Sequence, residues 1–225
     1  MIYLAADIHG HIRLERLKEL LRPYTLTNSD YLIVLGDAGI VWSETEHKEV
    51  RAYYESLPLT TLFLDGNHEN FDLLEAYPAV SFKGGKAHKV GKKIYHLMRG
   101  EIYTIDNKTF FVFGGGFSLK KLTNSSPISV WEREMPNETE YENGLKNLAQ
   151  YRFAVDYMLS HVAPTKIANE MRLPLIDQEI KLNNYLQEIS EKTDFKKWFF
   201  GHHHKDKNGE NWSAIYDRIL VLGDR

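Results

Sequence analysis

Five short apolar runs punctuate the chain, and each ends in a cluster of polar residues. Ile2 to Ala6 leads into Asp7-Ile8-His9-Gly10-His11, Tyr31 to Leu35 into Gly36-Asp37-Ala38-Gly39, and Thr60 to Leu64 into Gly66-Asn67-His68-Glu69. Val155 to Leu159 leads into Ser160-His161-Val162-Ala163-Pro164, and Lys197 to Phe200 into Gly201-His202-His203-His204. A short apolar run bounded by turn residues predicts a buried strand. The polar clusters then fall in loops at strand ends, on one rim of a sheet. In open α/β sheets that carboxyl rim is where ligands bind.

Between the first three runs the periodicity is helical. Ile12, Leu14, Leu17, Leu20 and Leu21 predict a helix that stops before Pro23. Residues 44–57 predict a second, with Ser43 as its cap, Val50, Tyr53, Tyr54 and Leu57 as its apolar face, and Pro58 closing it. Asn70 to Tyr77 predicts a short third. Strand and helix in alternation indicate a parallel sheet. The middle differs. Lys86–Val90, Lys93–Leu97, Glu101–Ile105 and Thr109–Phe113 read as strands separated by Gly91, Arg99-Gly100 and Asp106-Asn107, a pattern of antiparallel hairpins. Residues 117–137 form a long connection without periodicity. Helices are predicted over 138–150 and 177–189, with an irregular stretch before the latter. Trp212–Tyr216 and Arg218–Leu222 read as a final hairpin. The expected architecture is α/β (α+β in some schemes): two mixed sheets packed face to face, with helices outside.

With 225 residues, 43% hydrophobic and 12% aromatic, a substantial core is available. Because the five clusters span residues 7 to 204 and need one another, we expect one domain over 1–225. The net charge of −3 disfavours a protein that coats a nucleic-acid backbone. There are no cysteines, so thiolate sites are excluded. The first strand begins at residue 2, which leaves no room for a removable leader, and no apolar stretch reaches the ~20 residues of a membrane span. A cytoplasmic location is expected. Trp131 and Trp212 could serve a dimer patch or the core, and the oligomeric state is left open.

The clusters supply Asp7, His9, Asp37, Asn67, His161, His202 and His204. Hard oxygen and borderline imidazole donors suit Mn, Fe, Co, Ni or Zn better than Ca or Mg. Seven ligands exceed what one ion takes while keeping a position open, so two divalent ions sharing a bridging carboxylate are expected. Asp7 and His9, like His202 and His204, are two residues apart, which in extended backbone sends both side chains to one side. The glycines at 10, 36, 66 and 201 would permit tight turns at the strand exits. Singly, Asp-x-His or Gly-Asp is more often a turn than a ligand. Five such strand ends in one chain point to a metal centre.

In this order the motifs resemble those of the calcineurin-like metallophosphoesterases: Asp-x-His, Gly-Asp, Gly-Asn-His-Glu, a lone His, then Gly-His-x-His. The resemblance spans nearly the whole chain and implies the four-layer sandwich of that superfamily. It implies one ion on Asp7, His9, Asp37 and His204 and another on Asp37, Asn67, His161 and His202, with Asp37 bridging and manganese the foremost metal. His68 matches the histidine that approaches the phosphoryl oxygens and assists the leaving group. The stretch Gly114 to Ser118 with Trp131 to Glu134 resembles small bacterial and phage members, and residues 117–137 are expected to line or cover the entrance.

One departure matters. Where the protein Ser/Thr phosphatase branch carries an acidic residue and a phosphate-gripping arginine, this chain has Ile40 and Val41. Arg99, on an inter-strand turn, is the candidate replacement for binding substrate, together with Asn67 and His68. The expectation is a phosphoesterase acting on a phosphomonoester or phosphodiester, its substrate a phosphorylated small molecule, nucleotide or phosphoprotein. A protein phosphatase and a nucleotide or dinucleotide hydrolase are the alternatives. A nuclease is less favoured, and a non-catalytic binding module would show eroded ligands, which this chain does not.

Overall fold

The computed structural model describes residues 1–42, 48–119 and 132–223. In its first half the chain forms β1 (Ile2–Ala5), α1 (Leu14–Leu21), β2 (Tyr31–Leu35), α2 (Lys48–Ser56), β3 (Thr60–Leu64), α3 (Phe71–Ala76), β4 (Ala79–Phe82), β5 (Gly85–Lys89) and β6 (Ile94–Leu97). It continues with β7 (Ile102–Ile105), β8 (Lys108–Phe113), α4 (Glu138–Gln150), β9 (Tyr157–Ser160), α5 (Thr165–Glu170), α6 (Ile180–Lys192) and β10 (Lys197–Phe200). Three short strands close it: β11 (Lys207–Asn208), β12 (Trp212–Ala214) and β13 (Leu220–Leu222). One sheet has the order β13-β1-β2-β3-β6-β5-β4 and the other β11-β12-β10-β9-β8-β7. Strands β1, β2, β3 and β6 run parallel, as do β8, β9, β10 and β12.

The continuous apolar runs exist because the central strands are covered on both faces. In β1, Ile2 and Leu4 point between the sheets, where they meet Leu62, Leu64, Phe110, Val112 and Phe199. Tyr3 and Ala5 point the other way, onto Leu17 and Leu21 of α1 and Tyr54 of α2. The second sheet repeats the scheme. Phe111, Phe113, Trp198 and Phe200 pack on Leu148, Leu182 and Ile189 of α4 and α6. Three apolar layers thus separate helix, sheet, sheet and helix, and the expected sandwich is observed. Helix ends follow local chemistry: Asn70 caps α3 by accepting from Leu73 N at 3.1 Å. Asn137 and Glu140 form a capping box on α4.

Several expectations need correction. The final hairpin does not form. β12 joins β10 and β11 in the second sheet, while β13 pairs antiparallel with β1 in the first. Each half finds an open sheet edge, and Ile215 N bonds back to Phe200 O at 2.9 Å on the way between them. Strand β4 was not anticipated, because its residues alternate between exposed and half-buried and leave no apolar run. Helix α5 lies in the stretch read as irregular. Predicted helix 177–189 begins instead at Ile180, and the first helix opens with a 3-10 turn over Gly10–Ile12. The hairpins β5-β6 and β7-β8 are antiparallel as expected, and β4 adds an antiparallel strand to β5, but Arg99-Gly100 carries the chain from one sheet to the other. Trp212 is buried in the second sheet's core. Ser43, Trp131 and residues 120–130 of the long connection lie outside the described residues.

Leu62, fully buried between the sheets, tests this packing. Leu62→Ala is expected to cost about 2–5 kcal/mol in urea unfolding, and a loss under about 1 kcal/mol would contradict a dry inter-sheet core.

Candidate metal centre

The parallel strands β1, β2 and β3 of one sheet and β9 and β10 of the other end on the same rim. Backbone bonds lock their exits together. Asp7 N donates to Gly36 O at 3.2 Å, His9 N to Asp37 O at 2.7 Å, and Gly201 N to His161 O at 3.1 Å. The paired ligands do not converge through extended backbone, as the two-residue spacing suggested. Asp7, His9, Asp37, His202 and His204 have φ of 53°, 51°, 52°, 65° and 48°. Left-handed conformations are uncommon outside glycine, though Asp and His tolerate them better than most residues. Such strain persists where the surroundings over-determine it. The glycines serve in two ways, and Gly10, at φ 59°, makes a left-handed turn as expected. Gly36 does adopt φ +86°. Gly66 does not need a positive φ but needs the space, since a Cβ there would lie 2.1 Å from Asp37 Oδ1.

The seven candidate ligands come together. Asp7, His9 and His204 offer ligand atoms that all lie within 4.8 Å of one another, and so do Asp7, Asp37 and His161. Asp37 Oδ2 sits 3.7 Å from His9 Nε2 and 3.6 Å from His161 Nε2, between the two groups. His9 Nε2 and His204 Nε2 are 3.1 Å apart. Asn67 Oδ1 lies 3.0 Å from both His161 Nε2 and His202 Nδ1.

Hydrogen bonds behind these atoms decide which way their lone pairs face. Leu35 O can only accept, so His161 Nδ1, 2.8 Å away, donates to it and a neutral ring presents a bare Nε2 to the site. His202 Nε2 lies 3.2 Å from Glu179 Oε2, which leaves Nδ1 toward Asn67. Asn67 Nδ2 donates to Ser118 Oγ at 3.0 Å, so its oxygen faces inward. Three acceptors therefore share one small space, and that space requires positive charge. Partners of this kind are what orient metal-binding imidazoles. The donor set fits divalent ions.

The protonation pattern has the same origin. Burial pushes the Asp7 carboxyl up to about 7, against the pull of His161 and with Asp37 adding to the rise. Burial would raise Asp37 too, but His161 and His9 hold it well below the usual carboxylate range. Burial opposes charge on His161, yet Asp37 carries it up to about 10. A proton then stands where a metal ion would otherwise supply the charge. Burial lowers His9 to about 4. Glu179 is held down at about 2 because His202 outweighs its burial.

His68 is fixed through its backbone, whose N–H donates to Asp37 Oδ1 at 2.7 Å, and its ring centroid is 5.5 Å from that of His9. With Asp37, Asn67, Phe117 and Leu119 it lines a cavity of about 280 Å³. The described start of the long connection thus reaches the entrance.

Arg99 is a correction. Its side chain is 4% exposed and is not part of this cavity's lining. Its guanidinium donates to Asp65 Oδ2 at 2.8 and 2.6 Å, to Glu140 at 3.0 Å, and to the carbonyls of Arg133 and Glu134. Engaged by two carboxylates and two carbonyls, it ties the loop before α4 to the end of β3 instead of lining the candidate metal centre. Ile40 and Val41 are buried in the apolar layer.

Sequence reasoning missed Ser118, Glu134 and Glu179. Ser118 N donates to Glu134 Oε1 at 2.9 Å, and Ser118 Oγ bonds to both ends of Asn67. Ser118 ends a glycine run, which was a usable signal. Glu179, 62 residues from its other partner Phe117 N, had none. Glu69 accepts from Ala38 N at 2.9 Å, and burial beside Asp37 raises its carboxyl well above normal.

The calcineurin-like phosphoesterase family model matches residues 1–206, and the chain belongs to that family, whose members are metal-dependent hydrolases. Among solved structures it is similar to a phosphopantetheinyl hydrolase from Mycobacterium tuberculosis (14% identity, 96% of this chain and 87% of that one, TM-score 0.51). A putative 5'-nucleotidase from Staphylococcus aureus, in complex with alpha-ketoglutarate, also aligns (15% identity, TM-score 0.48). The alignment covers 99% of this chain, which spans about half of the nucleotidase, 51% of its length. No curated protein matches the chain. Among the described residues, no helix is long and apolar enough to cross a membrane.

Arg99→Met separates structure from substrate binding. Removing the guanidinium leaves the buried Asp65 carboxylate with only His96 beside it, and this is expected to cost about 3–5 kcal/mol in chemical unfolding. Unchanged stability with a raised KM would restore the substrate role.

Proposed function

We propose that the protein hydrolyses a phosphomonoester or phosphodiester at a centre of two divalent ions. One is held by Asp7, His9, Asp37 and His204 and the other by Asp37, Asn67, His161 and His202. The observation that carries this reading is the set of acceptor atoms, Asn67 Oδ1, His161 Nε2 and His202 Nδ1, turned onto one point by Ser118, Leu35 and Glu179. When bound, the ions lower the pKa of a water and draw charge from the phosphoryl oxygens. Manganese heads the candidates, followed by Fe, Co, Ni and Zn, since the ligand set mixes imidazole and oxygen.

The remaining work falls to side chains. His68, anchored on Asp37, stands at the cavity wall and passes a proton to the leaving oxygen. Asn67 and His68 together orient the phosphoryl group. A phosphorylated small molecule or nucleotide is the proposed substrate class, with a phosphoprotein second, and a cytoplasmic setting is proposed. The net charge of −3 gives a nuclease no support.

Two variants test this. With manganese present, Asp37→Asn is expected to reduce hydrolysis of p-nitrophenyl phosphate and of bis(p-nitrophenyl) phosphate by at least about 100-fold. Undiminished turnover, or full turnover after chelation, would refute the reading. Ser118→Ala frees the Asn67 amide to rotate, so calorimetric titration should show manganese affinity about 10–100-fold weaker at one of two sites, the other site keeping its affinity.

A further inference from the structure

A second cavity, of about 610 Å³, opens beside the helix-bearing face of the first sheet, between α3 and the start of α4. Its lining shares no residue with the cavity at the metal centre. At its wall lies a cross-strand pair, His88 of β5 and His96 of β6. His96 Nε2 is 3.1 Å from Asp65 Oδ1, and His96 Nδ1 is 3.0 Å from His88 Nδ1.

The order of donors follows from one end. The Asp65 carboxylate, facing the Arg99 guanidinium, only accepts, so His96 Nε2 carries the hydrogen. With a neutral His96 ring, its Nδ1 is the acceptor and His88 Nδ1 donates to it. That leaves His88 Nε2 as a bare lone pair on a residue that is 8% exposed. Burial lowers the His88 pKa to about 4, which keeps the ring neutral at physiological pH. This nitrogen has no partner among the described residues. Phe71, Leu74, Met98 and Met135 supply the cavity's apolar surface, and carboxylates outnumber cations five to three in the lining. An anionic ligand is therefore disfavoured. Thioether and aromatic walls suit a flat ring, and the volume suits a small organic ligand.

We propose that this cavity is a second binding site, for a non-anionic aromatic heterocycle that donates an N–H to His88 Nε2. The proposal does not depend on the phosphoesterase reading. Adenosine and indole are the probes, each beside an isostere that lacks the N–H: purine riboside and benzofuran. Ligand-observed NMR and calorimetry on the full chain should show at least one N–H donor binding, with its isostere weaker by about tenfold. His88→Gln should weaken that donor comparably while its unfolding midpoint stays near wild type. A second measurement avoids dependence on the variant's folding: the imidazole Nε2 resonance of His88 in the wild-type chain should shift on adding the donor and not on adding its isostere. No binding by either donor, equal binding of donor and isostere, or an unmoved His88 resonance under saturating donor would overturn the proposal.

Discussion

Acceptors turned onto one another, so that only a proton on His161 or a cation in its place can join them, are the constraint from which the rest of this structure follows. Asn67 Oδ1, His161 Nε2 and His202 Nδ1 are each turned inward by a bond made on the opposite side of the group. Asp7 and Asp37 add two buried carboxylates within a few ångströms. Burying like groups together is costly unless positive charge joins them. The backbone accepts left-handed turns at five of the seven positions to keep them there. A fold optimised for stability alone would not accumulate these features at one rim, whereas a site that holds cations needs all of them.

The layers around the rim supply the rigidity. The two sheets meet through a dry apolar layer, so loops from both are held at fixed separation. The loops are fastened again from behind. Asp65, two residues before Asn67, binds Arg99. Arg99 binds the carbonyls of Arg133 and Glu134, Glu134 binds Ser118 N, and Ser118 binds Asn67. Arg99 therefore contributes to the centre at a distance, through the loop it pins, which accounts for a buried arginine on what looked like an ordinary turn. The same Asp65 anchors the His96–His88 relay beside the second cavity.

Much of this was legible in the sequence because the strands that carry the ligands are buried on both faces. Tyr31–Leu35, Thr60–Leu64, Lys197–Phe200 and the helix Glu138–Gln150 match their expected bounds, since apolar runs and capping signals mark them sharply. Elements whose stability comes from pairing alone were not. β4 is an edge strand with no buried face, and β12 and β13 look like neighbours while each completes a different sheet. The candidate ligands announced themselves as polar residues at the ends of apolar runs. Glu179 and Arg99 did not, because a buried charge is defined by a partner far along the chain, and spacing carries no trace of it.

The central claim is that these seven side chains hold two cations at one rim. Anomalous diffraction from crystals soaked in manganese tests it most directly. The account predicts two peaks, one among Asp7, His9 and His204 and one among Asn67, His161 and His202, with Asp37 between them. No peak at the rim, or a single site that leaves Asn67 and His202 uncoordinated, would contradict it.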